Sequence, residues 1–164
     1  MTTKPILDPC CGGKMFYFQK QNPAVLYCDN RELIALKNSR GRTLEIKPDI
    51  ILDFRDLPFD DETFWHVVFD PPHLTDAGET SWMVRCYGKL PKDWQSYIKA
   101  GFDECWRVLK TNGTLVFKWS AHNIQPSEVI KVIGRQPLYG QRVAKGTHWM
   151  CFVKLQESEE VTNT

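Results

Sequence analysis

The chain has 164 residues, 42% of them hydrophobic and 12% aromatic, which suffices for one domain with its own core and leaves no length for a second. No apolar run approaches the roughly 20 residues that cross a bilayer, and the opening MTTKPILDPC lacks the apolar stretch of about 7–15 residues of a signal peptide, so a cytoplasmic protein without a membrane partner is expected. The net charge of +1 hides an asymmetry: residues 81–154 hold 12 basic and 4 acidic side chains against 9 and 13 in residues 1–80, which suits a second half facing something anionic, or equally a scatter of solvated lysines.

In chain order, PILD (5–8) is a first short strand that runs into a turn with two glycines, and AVLYCD (24–29) a second strand. PDIILD (48–53) and FWHVVFD (64–70) follow as the third and fourth. The connection from 74 to 93 shows no period and has the length of a lid or binding loop. A helix is predicted from Trp94 to Lys110, with Ile98, Phe102, Cys105 and Leu109 on one face, Asp93 as N-cap and Asn112-Gly113 as stop signal. GTLVFKW (113–119) is the fifth strand, a helix starts near Pro126 with Val129, Ile130 and Ile133 as its stripe, and HWMCFVKL (148–155) is the last strand. The domain is expected over 1–155, with 156–164 an acidic disordered tail. Apolar strands separated by helices predict an α/β, doubly wound, mostly parallel sheet covered on both faces.

The six cysteines include no CxxC pair, and adjacent Cys10 and Cys11 are poorly placed to bridge each other or to chelate an ion. They read as reduced structural thiols with no metal site.

The first four strands each end in an aspartate: Asp8, Asp29, Asp53 and Asp70. Any one could be an ordinary cap, but in a parallel sheet ligands bind at the carboxyl ends of the strands, so four in succession would line one rim. Gly12 and Gly13 permit a tight turn and close backbone approach, and a helix N-terminus is expected to follow them. Asp29, at the end of the second strand, stands about 20 residues after that turn, the spacing at which an acid accepts hydrogen bonds from a ribose. The dinucleotide fingerprint GxGxxG is missing, which points to a nucleoside-like ligand and away from a nicotinamide-dependent oxidoreductase.

LDPCCGG resembles the D-P-x-x-G-x-G motif of class I S-adenosylmethionine-dependent methyltransferases, especially those that modify nucleobase amines. ILDFRDLPFDDETFWHVVFDPPH is similar to their stretch from the adenine-contacting acid to the D/N-P-P-aromatic tetrapeptide. CWRVLKTNGTLVFKW resembles their next helix and fifth strand, and HWMCFVKL their last, antiparallel strand; the likeness runs over about residues 5 to 155 in the family's order. It implies a Rossmann-like methyltransferase fold and S-adenosylmethionine as cofactor, with Asp8, Cys10, Gly12 and Gly13 bordering the methionine part, Asp29 on the ribose, and Asp53 with the Phe54 backbone amide at the adenine. Two positions depart from the pattern: Lys14 stands for the motif's last glycine, and His73 for the usual Tyr, Phe or Trp.

By the same resemblance Asp70, Pro71, Pro72 and His73 form the catalytic tetrapeptide. An exocyclic amine is a poor nucleophile because its lone pair is delocalised into the ring. Asp70 and the Pro71 carbonyl could accept its N–H hydrogens, the prolines would hold these acceptors still, and His73 could stack on the base. Taken alone, DPP reads as a strand-terminating turn. Trp82, Arg85, Tyr87 and Lys89 interleave rings with cations, which suits a nucleic acid substrate, although the two rings could equally pack the loop onto the sheet.

The expected reaction is methyl transfer to an exocyclic amine of a nucleobase, adenine in DNA first and RNA second. Guanine or cytosine amines, or a small heterocyclic amine, are the enzymatic alternatives, and a catalytically silent cofactor- or nucleic-acid-binding module is the non-enzymatic one. A chain this short carries no separate target-recognition unit, so the lid, a homodimer or a specificity partner is expected to help choose the site.

Overall fold

Apolar runs rich in β-branched and aromatic residues pair edge to edge in one seven-stranded sheet. The computed structural model describes residues 4–76, 78, 80–141 and 146–156. Its elements are β1 (Ile6–Asp8), β2 (Val25–Asp29), β3 (Leu33–Lys37), β4 (Thr43–Ile46), β5 (Ile50–Ile51), β6 (Phe64–Phe69), α1 (Trp82–Tyr87), α2 (Trp94–Val108), β7 (Leu109–Ser120), α3 (Pro126–Ile133), β8 (Tyr139–Gly140) and β9 (Thr147–Val153). The sheet order is β5-β2-β1-β6-β7-β9-β8. The first five strands run parallel, and β9 and then β8 join antiparallel. This is an α/β, Rossmann-like arrangement, mostly parallel and closed by an antiparallel C-terminal strand. The expected acidic tail lies outside the described residues except for Gln156, and no helix among them is long and apolar enough to cross a membrane.

β7 shows how the core forms. Leu115, Phe117 and Trp119 are fully buried while their neighbours Thr114, Val116, Lys118 and Ser120 are half-buried, the period of two expected of a strand with one dry face. The dry face packs on Ile98, Phe102 and Cys105 of α2 and on Val129 and Ile133 of α3. The helix α2 stops at Val108 and the chain turns directly into β7, because Leu109 already has extended backbone (φ −75°, ψ 133°). The stop therefore comes two residues before the predicted Lys110. α3 begins with a reciprocal cap between Gln125 and Glu128, has Pro126 in its first turn, and ends at Gly134 in the left-handed region, as the sequence signals require.

Among the described residues, the second face at β1 and β2 is covered by turns and not by a helix. Residues 9–24 contain turns and no helix: Pro9, Gly12-Gly13 and Pro23 interrupt the segment, and Met15, Phe16, Tyr17 and Phe18 follow one another without a period of 3.6. Cys11 and Tyr17 from this segment pack on Ile6, Val25 and Tyr27 and cover the second face at β1 and β2. The helix N-terminus expected after Gly13 is accordingly absent. Between β2 and β5 the chain forms the antiparallel hairpin β3–β4, turned by the Asn38 side chain, which accepts the Arg40 and Arg42 N–H groups, and by Gly41 (φ +74°). Leu44 and Ile46 of the hairpin pack with Cys86, Trp82 and Tyr87 of α1. The connection from 74 to 93, read as a loop, thus holds a six-residue helix capped by the Ser81 hydroxyl, which accepts the Val84 N–H at 3.2 Å.

Candidate functional site

β1 lies between β2 and β6, so the chain leaves β1 toward one side of the sheet and β6 toward the other. A crevice opens where strand order reverses in this way. Here it is a cleft of about 740 Å³, within the roughly 300–1,000 Å³ usual for small-molecule sites. Its walls come from the loop after β1, the ends of β2 and β6, and α1.

The loop after β1 is held by two aspartates. Asp8 is fully buried and accepts the Cys10 N–H at 3.2 Å and the Tyr17 hydroxyl at 2.9 Å. It lies beneath the loop and does not line the cleft. Burial pushes its carboxyl up to about 8 against the two hydrogen bonds, which favour the ionised form. Asp29 does line the cleft. One of its oxygens, Oδ2, accepts the Gly12 N–H at 2.9 Å, and Oδ1 accepts the Arg31 N–H and Nε–H, both at 3.0 Å. Gly12 has φ +49°, and Lys14, in place of the motif's last glycine, takes a glycine-like φ of +52°. The Lys14 ammonium lies 4.0 Å over the Tyr27 ring and lines a second cavity across the loop, away from the cleft.

Pro71, Pro72 and His73 line the cleft with Asp70. Gly88, the residue after α1, presses on this turn: it has φ +75°, and a Cβ there would lie 2.9 Å from Pro72 Cγ. The Asp70 backbone N–H donates to Cys10 Sγ at 3.3 Å, tying the end of β6 to the loop after β1. Its carboxylate Oδ2 accepts a hydrogen bond from Lys118 Nζ at 2.6 Å. Burial pushes the Asp70 carboxyl up, and the Lys118 ammonium opposes it. Burial and the same ammonium push His73 down to about 4, so its ring is neutral at pH 7, 5.7 Å from the Tyr87 ring. Burial and the neighbouring carboxylates push the Cys10 thiol up, which keeps it protonated and unreactive.

The remaining expected residues divide. Cys10, Gly12, Gly13, Phe54, Arg85, Tyr87 and Lys89 line the cleft. Asp53 does not; its carboxylate is gripped by Arg55, with Nη2 to Oδ2 at 2.6 Å and Nε to Oδ1 at 3.0 Å. Trp82 packs into the small cluster between α1 and the hairpin and does not face the cleft. Phe54 is held edge-on between Phe69 and Tyr97, at 5.3 and 5.1 Å, and Gly101 of α2 leaves the room its ring needs, since a Cβ there would collide with it.

Lys118, Arg31 and Tyr97 line the cleft but were not expected there. Lys118 had a signal, a charge at an alternating position in an otherwise apolar strand. Arg31 had none; it bonds Asp29 and reaches the Arg85 carbonyl from Nη1 at 3.2 Å, fastening α1 over the rim.

Toward S-adenosylmethionine the cleft offers the Asp29 carboxylate, whose oxygens already accept from Gly12 and Arg31, and the apolar wall of the Phe54 and Tyr97 rings. At Gly12 an added Cβ would meet nothing nearer than the Cys86 carbonyl at 3.7 Å, so the loop backbone borders open space.

No protein-family model matches the chain, and no curated protein matches it. Among solved structures the chain is similar to the crystal structure of the PH0226 protein from Pyrococcus horikoshii OT3, with 15% identity, a TM-score of 0.56, and coverage of 91% of this chain and 81% of that one. The likeness shows the fold: the chain is an α/β protein of the Rossmann-like kind.

Proposed function

We propose that the protein is a methyltransferase that moves a methyl group from S-adenosylmethionine to an exocyclic amine of a nucleobase, with adenine in DNA the first substrate to test and RNA the second. The observation that carries this reading is the shared cleft: the Asp70-Pro71-Pro72-His73 turn faces the same space as Gly12 and Asp29. When bound, S-adenosylmethionine supplies a methyl group on a positively charged sulfur, and the products are the methylated amine, a neutral thioether and one proton. Asp29 would hold the ribose, the loop at Gly12 and Gly13 the methionine part, and Phe54 the adenine. Asp70 and the Pro71 carbonyl accept the amine hydrogens and direct its lone pair, and the two prolines keep these acceptors from having to reorganise. Asp70 is also the base for the departing proton, a role that its upward-shifted carboxyl suits. The neutral rings of His73 and Tyr87 provide stacking surface without adding positive charge beside the sulfonium.

The test is incubation with methyl-labelled S-adenosylmethionine and separate pools of DNA, RNA and small metabolites, followed by digestion and identification of the labelled nucleoside by mass spectrometry. Label on the adenine amino group of DNA is the expected result. Label on another amine keeps the chemistry and moves the substrate, and no label in any pool while the cofactor binds favours a silent module.

A further inference from the structure

A charge in the middle of an apolar strand needs a reason. Lys118 stands in β7 between Phe117 and Trp119, both fully buried on the core side, while its own side chain lies on the cleft side and is only 16% exposed. Its ammonium sits 5.4 Å over the Phe16 ring and 5.8 Å over the Trp149 ring. Rings from two separate segments thus confine it, and its hydrogen bond to Asp70 Oδ2 is 2.6 Å long.

The other end of the pair is equally constrained. The Asp70 N–H is tied to Cys10 Sγ and the next two residues are prolines, so the main freedom left to Asp70 is the rotation of its carboxylate. Lys118 removes that freedom by holding Oδ2. Oδ1 accepts no hydrogen bond among the described residues.

We propose, resting on the methyl-transfer reading above, that Lys118 is a positioning residue of the transfer site: by holding Oδ2 it turns the free Oδ1 of Asp70 toward the amine that is to be methylated. It also sets the protonation of Asp70. Among the described residues, the titratable groups that interact with Asp70 are Asp8 from β1, Cys10 from the loop after it, Tyr87 from α1 and Lys118 from β7, and His73 of its own turn stands against the same ammonium. Asp8 is neutral below about 8 and His73 neutral above about 4, and the thiol and the phenol are pushed up. Between those limits Lys118 is the charged member of the set, and without it burial favours the protonated carboxyl, which cannot take up the departing proton.

The test follows the Asp70 carboxyl by carbon-13 NMR in the protein without cofactor, as wild type, Lys118→Met and Lys118→Arg. The titration midpoint is expected to rise by about 1–3 pH units in Lys118→Met, the effect of losing an adjacent opposite charge, and to stay near the wild-type value in Lys118→Arg. With a methyl acceptor, kcat of Lys118→Met near neutral pH is expected to fall about tenfold or more and to recover as pH rises, because below the midpoint each pH unit changes the ionised fraction about tenfold. KM for the acceptor stays unchanged, and Lys118→Arg restores the wild-type pH profile. Should Lys118→Met fail to fold, Lys118→Gln makes the same comparison with a polar side chain. An unmoved Asp70 midpoint overturns the inference even if methyl transfer proceeds. A moved midpoint in a protein whose wild type methylates no amine overturns the function proposed above, and the positioning role with it.

Discussion

The Gly12 N–H donates to Asp29 Oδ2 at 2.9 Å, so the end of β2 holds the loop after β1 in place. Asp29 is 2% exposed, and its loss leaves the Gly12 N–H, the Arg31 backbone N–H and the Arg31 Nε–H without their acceptor, while the guanidinium keeps the Arg85 carbonyl. Asp29→Ala is therefore expected to lower stability by about 1–3 kcal/mol, the cost of buried donors left unpaired. The same variant should lose the thermal stabilisation that S-adenosylmethionine gives the wild type, which amounts to about 2.7 kcal/mol at a hundred times Kd. Unfolding scans with and without the cofactor measure both effects, and a nicotinamide dinucleotide in parallel should raise stability in neither protein.

Asp70→Ala is expected to reduce turnover by about 10²-fold or more, the range for losing a group aimed at transition-state charge. Cofactor binding, measured by calorimetry, should be retained. Unchanged turnover would remove Asp70 from the mechanism.

Gly88→Ala tests whether α1 sets the position of the Asp70-Pro71-Pro72-His73 turn. The substitution forces a Cβ into the left-handed region and to within 2.9 Å of Pro72 Cγ. It should cost about 1–2 kcal/mol of stability and reduce kcat more than cofactor affinity, because the pressure falls on Pro72 and not on the loop after β1. Denaturation midpoints and steady-state kinetics on the one variant separate the two effects.

Tyr87 and Trp82 are one turn and a half apart on α1 and should behave differently. The Tyr87 ring lies 5.7 Å from the His73 ring beside the cleft, so Tyr87→Ala is expected to raise KM for the acceptor by about 5- to 150-fold, in line with about 1–3 kcal/mol for a lost base–ring stack. Trp82 packs on Leu44 and Ile46, so Trp82→Ala should lower the unfolding midpoint and leave KM near the wild-type value. The reverse pattern would mean that α1 presents its other face to the substrate.

Asp8 gives a pH dependence whose sign follows from its burial. Below pH 3.8 its carboxyl is protonated both folded and unfolded; between 3.8 and about 8 the unfolded chain ionises while the buried group stays neutral. Stability due to this residue is thus present at low pH and is lost as pH rises toward 8, by up to about 1.4 kcal/mol per pH unit. Urea midpoints of the wild type at several pH values from 4 to 8 should fall more steeply than those of Asp8→Asn. Parallel slopes would show that Asp8 is ionised in the folded protein.

Much of this was legible in the sequence. Asp8, Asp29 and Asp70 stand at or directly after strand ends as their local pattern indicates, whereas β5 stops at Ile51, short of Asp53, and the antiparallel run of the last strand followed from the family resemblance; the fold delivers Gly12, Asp29 and Asp70 to one cleft. What was not legible depended on partners distant in the chain. The missing helix after Gly13 could be suspected from its prolines, yet what replaces it depends on Cys11 and Tyr17 finding the face of β2. The alternation in TLEI, buried only at Leu44 and Ile46, was a strand signal too short to outweigh the expectation of a helix between parallel strands. Asp53 met Arg55 two residues on, a local competition that a motif comparison does not weigh.

The junction between α2 and β7 determines where the chain tolerates a change of length. Beside β6, the register passes from Phe64↔Leu109 to His66↔Thr114, so β7 uses five residues where β6 uses two, and Asn112 takes φ +64° within this excursion. Residues added or removed among 110–112 alter a bulge that already absorbs irregular length. From Thr114 to Phe117 the pairing is one to one, and there a single inserted residue exchanges the two faces of the strand. An aromatic ring would then stand beside Asp70 in place of an ammonium. Homologous chains are expected to differ in length before Gly113 and to keep the count between it and Lys118.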